Sequence, residues 1–220
     1  MNVCVVIPAY NVADKIQDVV RNTSTFIDAV IVVDDGSIDA TCQRASAAGA
    51  VVLRHEVNKG KGAALRTGFE YALCHNFDAC LTMDGDGQHD HLEIPAFMEM
   101  ANEPNVDIII GSRMQNISGM PLLRLLVNRV TSYITSRLTG QRISDSQSGY
   151  RLIKSRVLQN IELTSSRYET ESELLIKASR GGFKIKSIPV EAIYTGGASH
   201  INKFMDTLRF LRLVFKSIRW

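Results

Sequence analysis

Short apolar runs, each closed by a polar or turn-forming residue, recur along the first half of the chain. Val3-Cys4-Val5-Val6-Ile7 stops at Pro8, Ala29-Val30-Ile31-Val32-Val33 at Asp34-Asp35-Gly36-Ser37, and Val51-Val52-Leu53 shortly before His55. Further strands are expected over Phe77 to Met83, before Asp84, and Val106 to Ile110, before Gly111-Ser112-Arg113. Continuous rather than alternating runs are what strands buried on both faces require. Helical patterns lie between them: Ala13 to Arg21, a segment N-capped by Ser37 running through Cys42 to Ala48, Ala63 to Leu73, and Leu92 to Ala101. Strands and helices alternating at this spacing predict an α/β fold with a mostly parallel central sheet and helices on both faces. In such sheets ligands bind beyond the carboxyl ends of the strands.

The second half reads differently. Pro121 to Leu138 has a helical period, with Leu122, Leu125, Leu126, Val130, Ile134 and Leu138 apolar and arginines among polar neighbours. Such a helix either packs on the sheet by its apolar face or lies in an anionic lipid interface. Thr170-x-x-Glu173 has the spacing of a capping box opening a helix from Glu171 to Arg180. Phe183 to Val190 is expected as a further strand. Phe204 to Trp220 places Phe204, Leu208, Leu211 and Phe215 on one helical face, beside Arg209, Arg212, Lys216 and Arg219. A basic amphipathic end of this kind rests on a membrane or docks back on the domain.

Composition narrows this picture only modestly. With 220 residues, 45% hydrophobic and 22% charged, the chain fits one globular domain with a substantial core. A net charge of +2 excludes no partner class, but its placement is informative. No acidic residue stands between Ile108 and Ser144, whereas Arg113, Arg124, Arg129, Arg137 and Arg142 all do. Cys4, Cys42, Cys74 and Cys80 lack paired metal-ligand spacing, and Cys4, Cys42 and Cys80 read as buried reduced thiols. The opening residues read as a strand without a basic flank, and no apolar run approaches the roughly 20 residues of a membrane span. These features predict a cytosolic protein that meets a membrane only at its surface.

The candidate chemistry centres on Met83-Asp84-Gly85-Asp86-Gly87-Gln88-His89. Two carboxylates one residue apart at a strand end converge on one side of an extended chain. They repel unless a hard cation such as Mg2+ or Mn2+ lies between them. An isolated Asp-x-Asp is also an ordinary turn, so the other strand ends matter. They carry Pro8-Ala9-Tyr10, Asp34-Asp35, His55 and Gly111-Ser112-Arg113, which together make a rim of charged clusters. His89 and His91 are expected to support the loop rather than bind the cation. His55 and His75 read as polar residues at element ends.

Six blocks in order resemble the family-2 glycosyltransferases, and within them the dolichol-phosphate mannosyltransferase group. They are Ile7-Pro8-Ala9-Tyr10-Asn11, Val33-Asp34-Asp35-Gly36-Ser37-x-Asp39-x-Thr41, Asn58-Lys59-Gly60-Lys61-Gly62-x-Ala64, the Asp84 block, Gly111-Ser112-Arg113, and Asp145-x-Gln147-Ser148-Gly149-Tyr150-Arg151. The resemblance implies a GT-A fold, Rossmann-like, as a catalytic domain over residues 1–203 with a basic helix over 204–220. It implies a GDP- or UDP-sugar donor contacted by Pro8, Ala9, Tyr10, Asp34, Asp35, Lys61, Asp84 and Gln88. Asp84, Asp86 and Gln88 would hold Mg2+ or Mn2+, and Arg113, Arg124 and Ser199 the phosphate of a polyprenyl-phosphate acceptor. Asp86 and Arg113 are the implied catalytic residues. The implied surroundings are the cytosolic face of a membrane and a possible membrane-protein partner, with no nucleic acid.

The chain departs from the family pattern twice. Tyr10-Asn11-Val12 lacks the glutamate that commonly contacts the nucleotide, and the late Ser-Lys is Ser199-His200, leaving Lys203 nearby. If the acceptor is a sugar hydroxyl rather than a lipid phosphate, a carboxylate base is required; Glu171 is the first candidate and Glu169 the second. A non-catalytic nucleotide-binding or receiver-like module would share the acidic strand ends. It would leave Gln88, Arg113 and Asp145 to Arg151 without a role.

Overall fold

A computed structural model of the protein describes residues 1–115, 120–191, 193, 203–217 and 220, excepting the side chains of Lys203, Phe204 and Asp206. Its strands are β1 (Val3–Ala9), β2 (Val30–Asp34), β3 (Val51–Arg54), β4 (Ala79–Thr82), β5 (Ile108–Ser112), β6 (Arg151–Lys154) and β7 (Ile185–Pro189). The helices are α1 (Ile16–Ser24), α2 (Thr41–Ala47), α3 (Lys61–Cys74), α4 (Ile94–Ala101), α5 (Leu122–Thr139), α6 (Ser155–Leu158), α7 (Thr170–Arg180) and α8 (Lys203–Ser217). The strands form one sheet in the order β3-β2-β1-β4-β6-β5-β7. All neighbours pair in parallel except β6, which runs antiparallel to both β4 and β5.

Alternate residues of β1 divide the core. Val3, Val5 and Ile7 join Ile16, Val20, Ile94 and Phe97 from α1 and α4 on one face. Cys4 and Val6 join Ala64, Leu65, Phe69, Leu174 and Leu175 from α3 and α7 on the other. Burial on both faces explains why β1 and β2 are continuously apolar, whereas β3, at the sheet edge, is exposed at Val51 and Arg54. Cys4 and Cys80 are buried free thiols facing each other in register across β1 and β4, while Cys42 is only half-buried.

Two local expectations are corrected. Ser37 does not cap α2, which begins at Thr41; its hydroxyl accepts the Asn11 N–H at 2.9 Å instead. Asp39 receives the Thr41 amide and hydroxyl in its place. The capping box also fails, because Glu173 accepts from Thr164 N and Oγ1 and from Ser165 N, and pairs with Lys177 at 2.7 Å. Burial pushes that carboxyl up, but Lys177 and the two amides outweigh it and hold it at about 2.

Of the two alternatives for α5, packing on the sheet by the apolar face is not what the structure shows. Asn128, Ser132, Thr135 and Thr139 point inward, and the Ser132 hydroxyl receives the Ser146 N–H at 2.9 Å. Leu122, Leu123, Leu126, Val127, Val130 and Tyr133 are exposed, with Leu122 at 83%. Helix α8 docks through Phe210, Leu213 and Ser217 and leaves Leu211 and Phe215 exposed. Among the described residues no helix is long and apolar enough to cross a membrane.

Candidate active site

The carboxyl ends of β1, β2, β4 and β5 share one edge of the sheet, because β6 reverses direction between β4 and β5. Asp84 follows β4 there. Its carboxylate lies 2.6 Å from the Lys61 ammonium, which the first turn of α3 presents, and that ammonium is 2.8 Å from Glu171 in the first turn of α7. Two bare backbones permit the approach. A Cβ on Gly149 would come within 3.0 Å of both Asp84 oxygens, and one on Gly62 would strike the Thr170 hydroxyl.

The ion pairing sets the charges. Burial favours neutral forms, yet Lys61 holds Asp84 down at about 2, with help from Arg113. Lys61 is in turn held firmly charged against its burial by Asp84 and Glu171. Asp86 is pushed up by burial and by the charge of Asp84, so the two carboxylates are close enough to repel. The Arg124 charge, from the first turn of α5, also reaches Asp86 and opposes that rise.

His89 lies beside Asp84, its Nε2 3.9 Å from the carboxylate. Its Nδ1 accepts the Asp84 N–H at 3.0 Å, which places any proton of the neutral ring on Nε2. The ring stacks on Tyr150 at 4.8 Å, and burial keeps it neutral, lowering it to about 4. His91 pairs with the neighbouring Asp90 instead. His55 is buried between Asp35 and the Thr67 hydroxyl, and His75 stacks on Tyr71.

The acidic pair after β2 divides its labour. Asp35 spends both oxygens on the fold, accepting from His55, Lys59 N and Gly60 N. Asp34 accepts the Ser37 N–H through Oδ1, while its buried Oδ2 has no hydrogen-bond donor among the described residues. The Arg54 guanidinium pairs with that oxygen at 3.4 Å. Of the two, Asp34 is thus the one that keeps an oxygen accepting no hydrogen bond among the described residues. Ala9 is buried at the end of β1, and Tyr10 beyond it is exposed.

Two arginines build the floor. Arg113 is forked by Asp145, with Nε at 2.8 Å and Nη2 at 3.1 Å. Arg151 is wholly buried and donates to the carbonyls of Ser148, Glu171 and Ser146 at 2.7, 2.6 and 2.8 Å. Sequence reasoning set Asp145 to Arg151 apart as a family block but gave neither Asp145 nor Arg151 a partner. A signal for the Arg113 pairing existed in Asp145 being the first acidic residue after the arginine-bearing stretch.

The structure thus gathers Lys61, Asp84, Asp86, Arg113, Arg124 and Glu171, while Ser199 and His200 lie outside the described residues. Among the described residues no three His, Cys, Asp or Glu side chains form a self-sufficient metal cage. The two repelling carboxylates, one of which accepts the Gln88 backbone N–H, are hard oxygen donors. They suit a divalent cation that takes its remaining ligands from a substrate.

Comparison with known proteins identifies the family and the fold. The chain is 33% identical over 86% of its length to the UDP-N-acetylglucosamine–dolichyl-phosphate N-acetylglucosaminyltransferase of Methanococcus voltae, covering 85% of that protein. It is 30% identical over 98% of its length to the polyprenol monophosphomannose synthase of Mycolicibacterium smegmatis, covering 85%. In structure it resembles Mycobacterium tuberculosis glucosyl-3-phosphoglycerate synthase in complex with Mn2+, UDP and phosphoglyceric acid. The TM-score is 0.72 at 23% identity, over 99% of this chain and 77% of that one. The sheet and its surrounding helices are those of GT-A glycosyltransferases. With the family profile "Glycosyl transferase family 2" matching residues 4–162 as well, the chain belongs to that family and is a glycosyltransferase.

Proposed function

We propose that the enzyme moves a sugar from a GDP- or UDP-sugar to a polyprenyl phosphate, with inversion, at the cytosolic face of a membrane. The observation that carries this reading is α5. Its Arg124 charge reaches Asp86, while the same helix turns Leu122, Leu123, Leu126 and Val127 outward. One element thus joins the polar site to a surface fit for acyl chains. Exposed Arg129 and Arg137 flank that surface with positive charge suited to anionic headgroups. The relatives named for dolichyl-phosphate and polyprenol substrates support the same acceptor.

In this reading Asp34 receives a donor group of the base or ribose, beside Pro8, Ala9 and Tyr10. Asp84, Asp86 and Gln88 would hold Mg2+ or Mn2+ against the diphosphate. Once bound, the cation neutralises charge growing on the leaving nucleoside diphosphate. Arg113, kept rigid by Asp145, and Arg124 orient the acceptor phosphate and offset its repulsion from the donor. Its oxygen is already anionic near neutral pH, so holding it in line with the anomeric carbon does most of the work. Glu171 keeps Lys61 in place.

One observation favours a second reading, transfer to a sugar hydroxyl: the Glu171 carboxylate stands in the site where a base would be needed. The two separate in an assay with radiolabelled nucleotide sugars, saturating Mn2+ and membrane lipid extract. Label is expected in the organic phase, and Glu171→Gln is expected to slow its appearance by less than about tenfold. Loss of a working base costs roughly a hundredfold or more. Label confined to water-soluble glycans, and stopped by Glu171→Gln, would refute the lipid-phosphate reading.

A further inference from the structure

We propose that Lys61 is an internal counter-ion that competes with the metal for Asp84, making cation binding weak until a nucleotide diphosphate arrives. This rests on Asp84 and Asp86 being the metal-binding pair. The lysine side chain is 16% exposed and bridges two carboxylates from separate elements, Asp84 at 2.6 Å and Glu171 at 2.8 Å. The Tyr168 ring centroid lies 5.7 Å from the ammonium. The pocket is built for that group: a Cβ at Gly149 would stand 2.8 Å from Nζ.

An ammonium in this place does two things to a divalent cation. It occupies an oxygen of Asp84 that the cation needs, and it adds a like charge beside the pair. A diphosphate reverses both effects. It brings oxygens to the cation and gives Lys61 another anion to face, so Asp84 is released without leaving the ammonium unpaired. Glu171 anchors the lysine through the exchange. Metal and nucleotide binding are then coupled through Lys61, which is a positioning residue rather than a group that touches the reacting atoms.

Mn2+ titration of the full chain, followed by the spin-resonance signal of free Mn2+ with and without UDP or GDP, tests this. Without nucleotide, Lys61→Met is expected to bind Mn2+ about tenfold more tightly than the wild type. The factor by which nucleotide improves Mn2+ affinity is expected to shrink in that variant. Glu171→Gln is expected to act oppositely and weaken Mn2+ binding, because Lys61 then has Asp84 alone. Unchanged or weaker binding by folded Lys61→Met overturns the proposal, as does tighter binding by Glu171→Gln. Failure of the metal site itself looks different: Asp86→Ala would bind Mn2+ as well as the wild type, ending both readings.

Discussion

Asp86→Ala is expected to lower kcat/KM for sugar transfer at least about a thousandfold while the fold melts no earlier than the wild type. The factor corresponds to roughly 4 kcal/mol of transition-state stabilisation, a reasonable share for electrostatic control of a leaving diphosphate. Asp86 separates function from structure better than Asp84 does. Asp84 is tied to Lys61, and its own amide donates to His89. The Asp86 carboxylate receives the Gln88 N–H, and its charge is disfavoured by burial and by Asp84. Removing it relieves repulsion in the metal-free protein, so stability is unchanged or slightly raised. Steady-state kinetics beside a thermal melt checks both halves. Activity within tenfold of the wild type would show that the acidic pair does not serve the reaction.

The largest stability effect is expected at Arg151. Methionine there fills similar volume but leaves the carbonyls of Ser146, Ser148 and Glu171 buried without a donor. Each orphaned acceptor costs about 1–3 kcal/mol. Relief of a buried guanidinium offsets part of this, since burial already lowers the Arg151 pKa. The nearby Glu171, Asp145 and Asp84 carboxylates lose a counter-charge, which adds to the cost. The net loss is expected to be about 3 kcal/mol, or roughly 6–12 °C in Tm for a domain of this size. Lysine should not rescue it, because an ammonium cannot reproduce a planar fork aimed at three carbonyls. A melting temperature within about two degrees of the wild type would show that these carbonyls find other donors.

Much of the fold was legible because β1, β2, β4 and β5 are buried on both faces, and such strands announce themselves as unbroken apolar runs. β6 was visible only as Leu152-Ile153. Its antiparallel place between β4 and β5 depends on neighbours far along the chain, which local pattern does not encode. The α5 pattern marked a helix correctly but not which face turns inward. That was decided by Ser132 and its neighbours meeting the Ser146 loop. Glu173 had the spacing of a cap, yet the Thr164-Ser165 segment offered it better donors.

The site shows the same division. Lys61, Asp84, Asp86 and Arg124 were legible as charged residues at strand ends or helix starts. The Arg113–Asp145 fork spans 32 positions and the Arg151–Glu171 bond spans 20, so only folding reveals them. The unequal roles of Asp34 and Asp35 were likewise hidden. They follow from where the Asn58–Gly60 loop lands, and two adjacent aspartates look alike in a sequence.

The claim that a lipid phosphate is the nucleophile is tested most directly by offering the purified enzyme, with Mn2+ and nucleotide sugars, either polyprenyl phosphate or the corresponding polyprenol. Products are then weighed by mass spectrometry. The proposed mechanism predicts a glycosyl phosphate ester from the polyprenyl phosphate and no product from the polyprenol. Glycosylation of the polyprenol at a comparable rate, or none of the polyprenyl phosphate with any active nucleotide sugar, would contradict it.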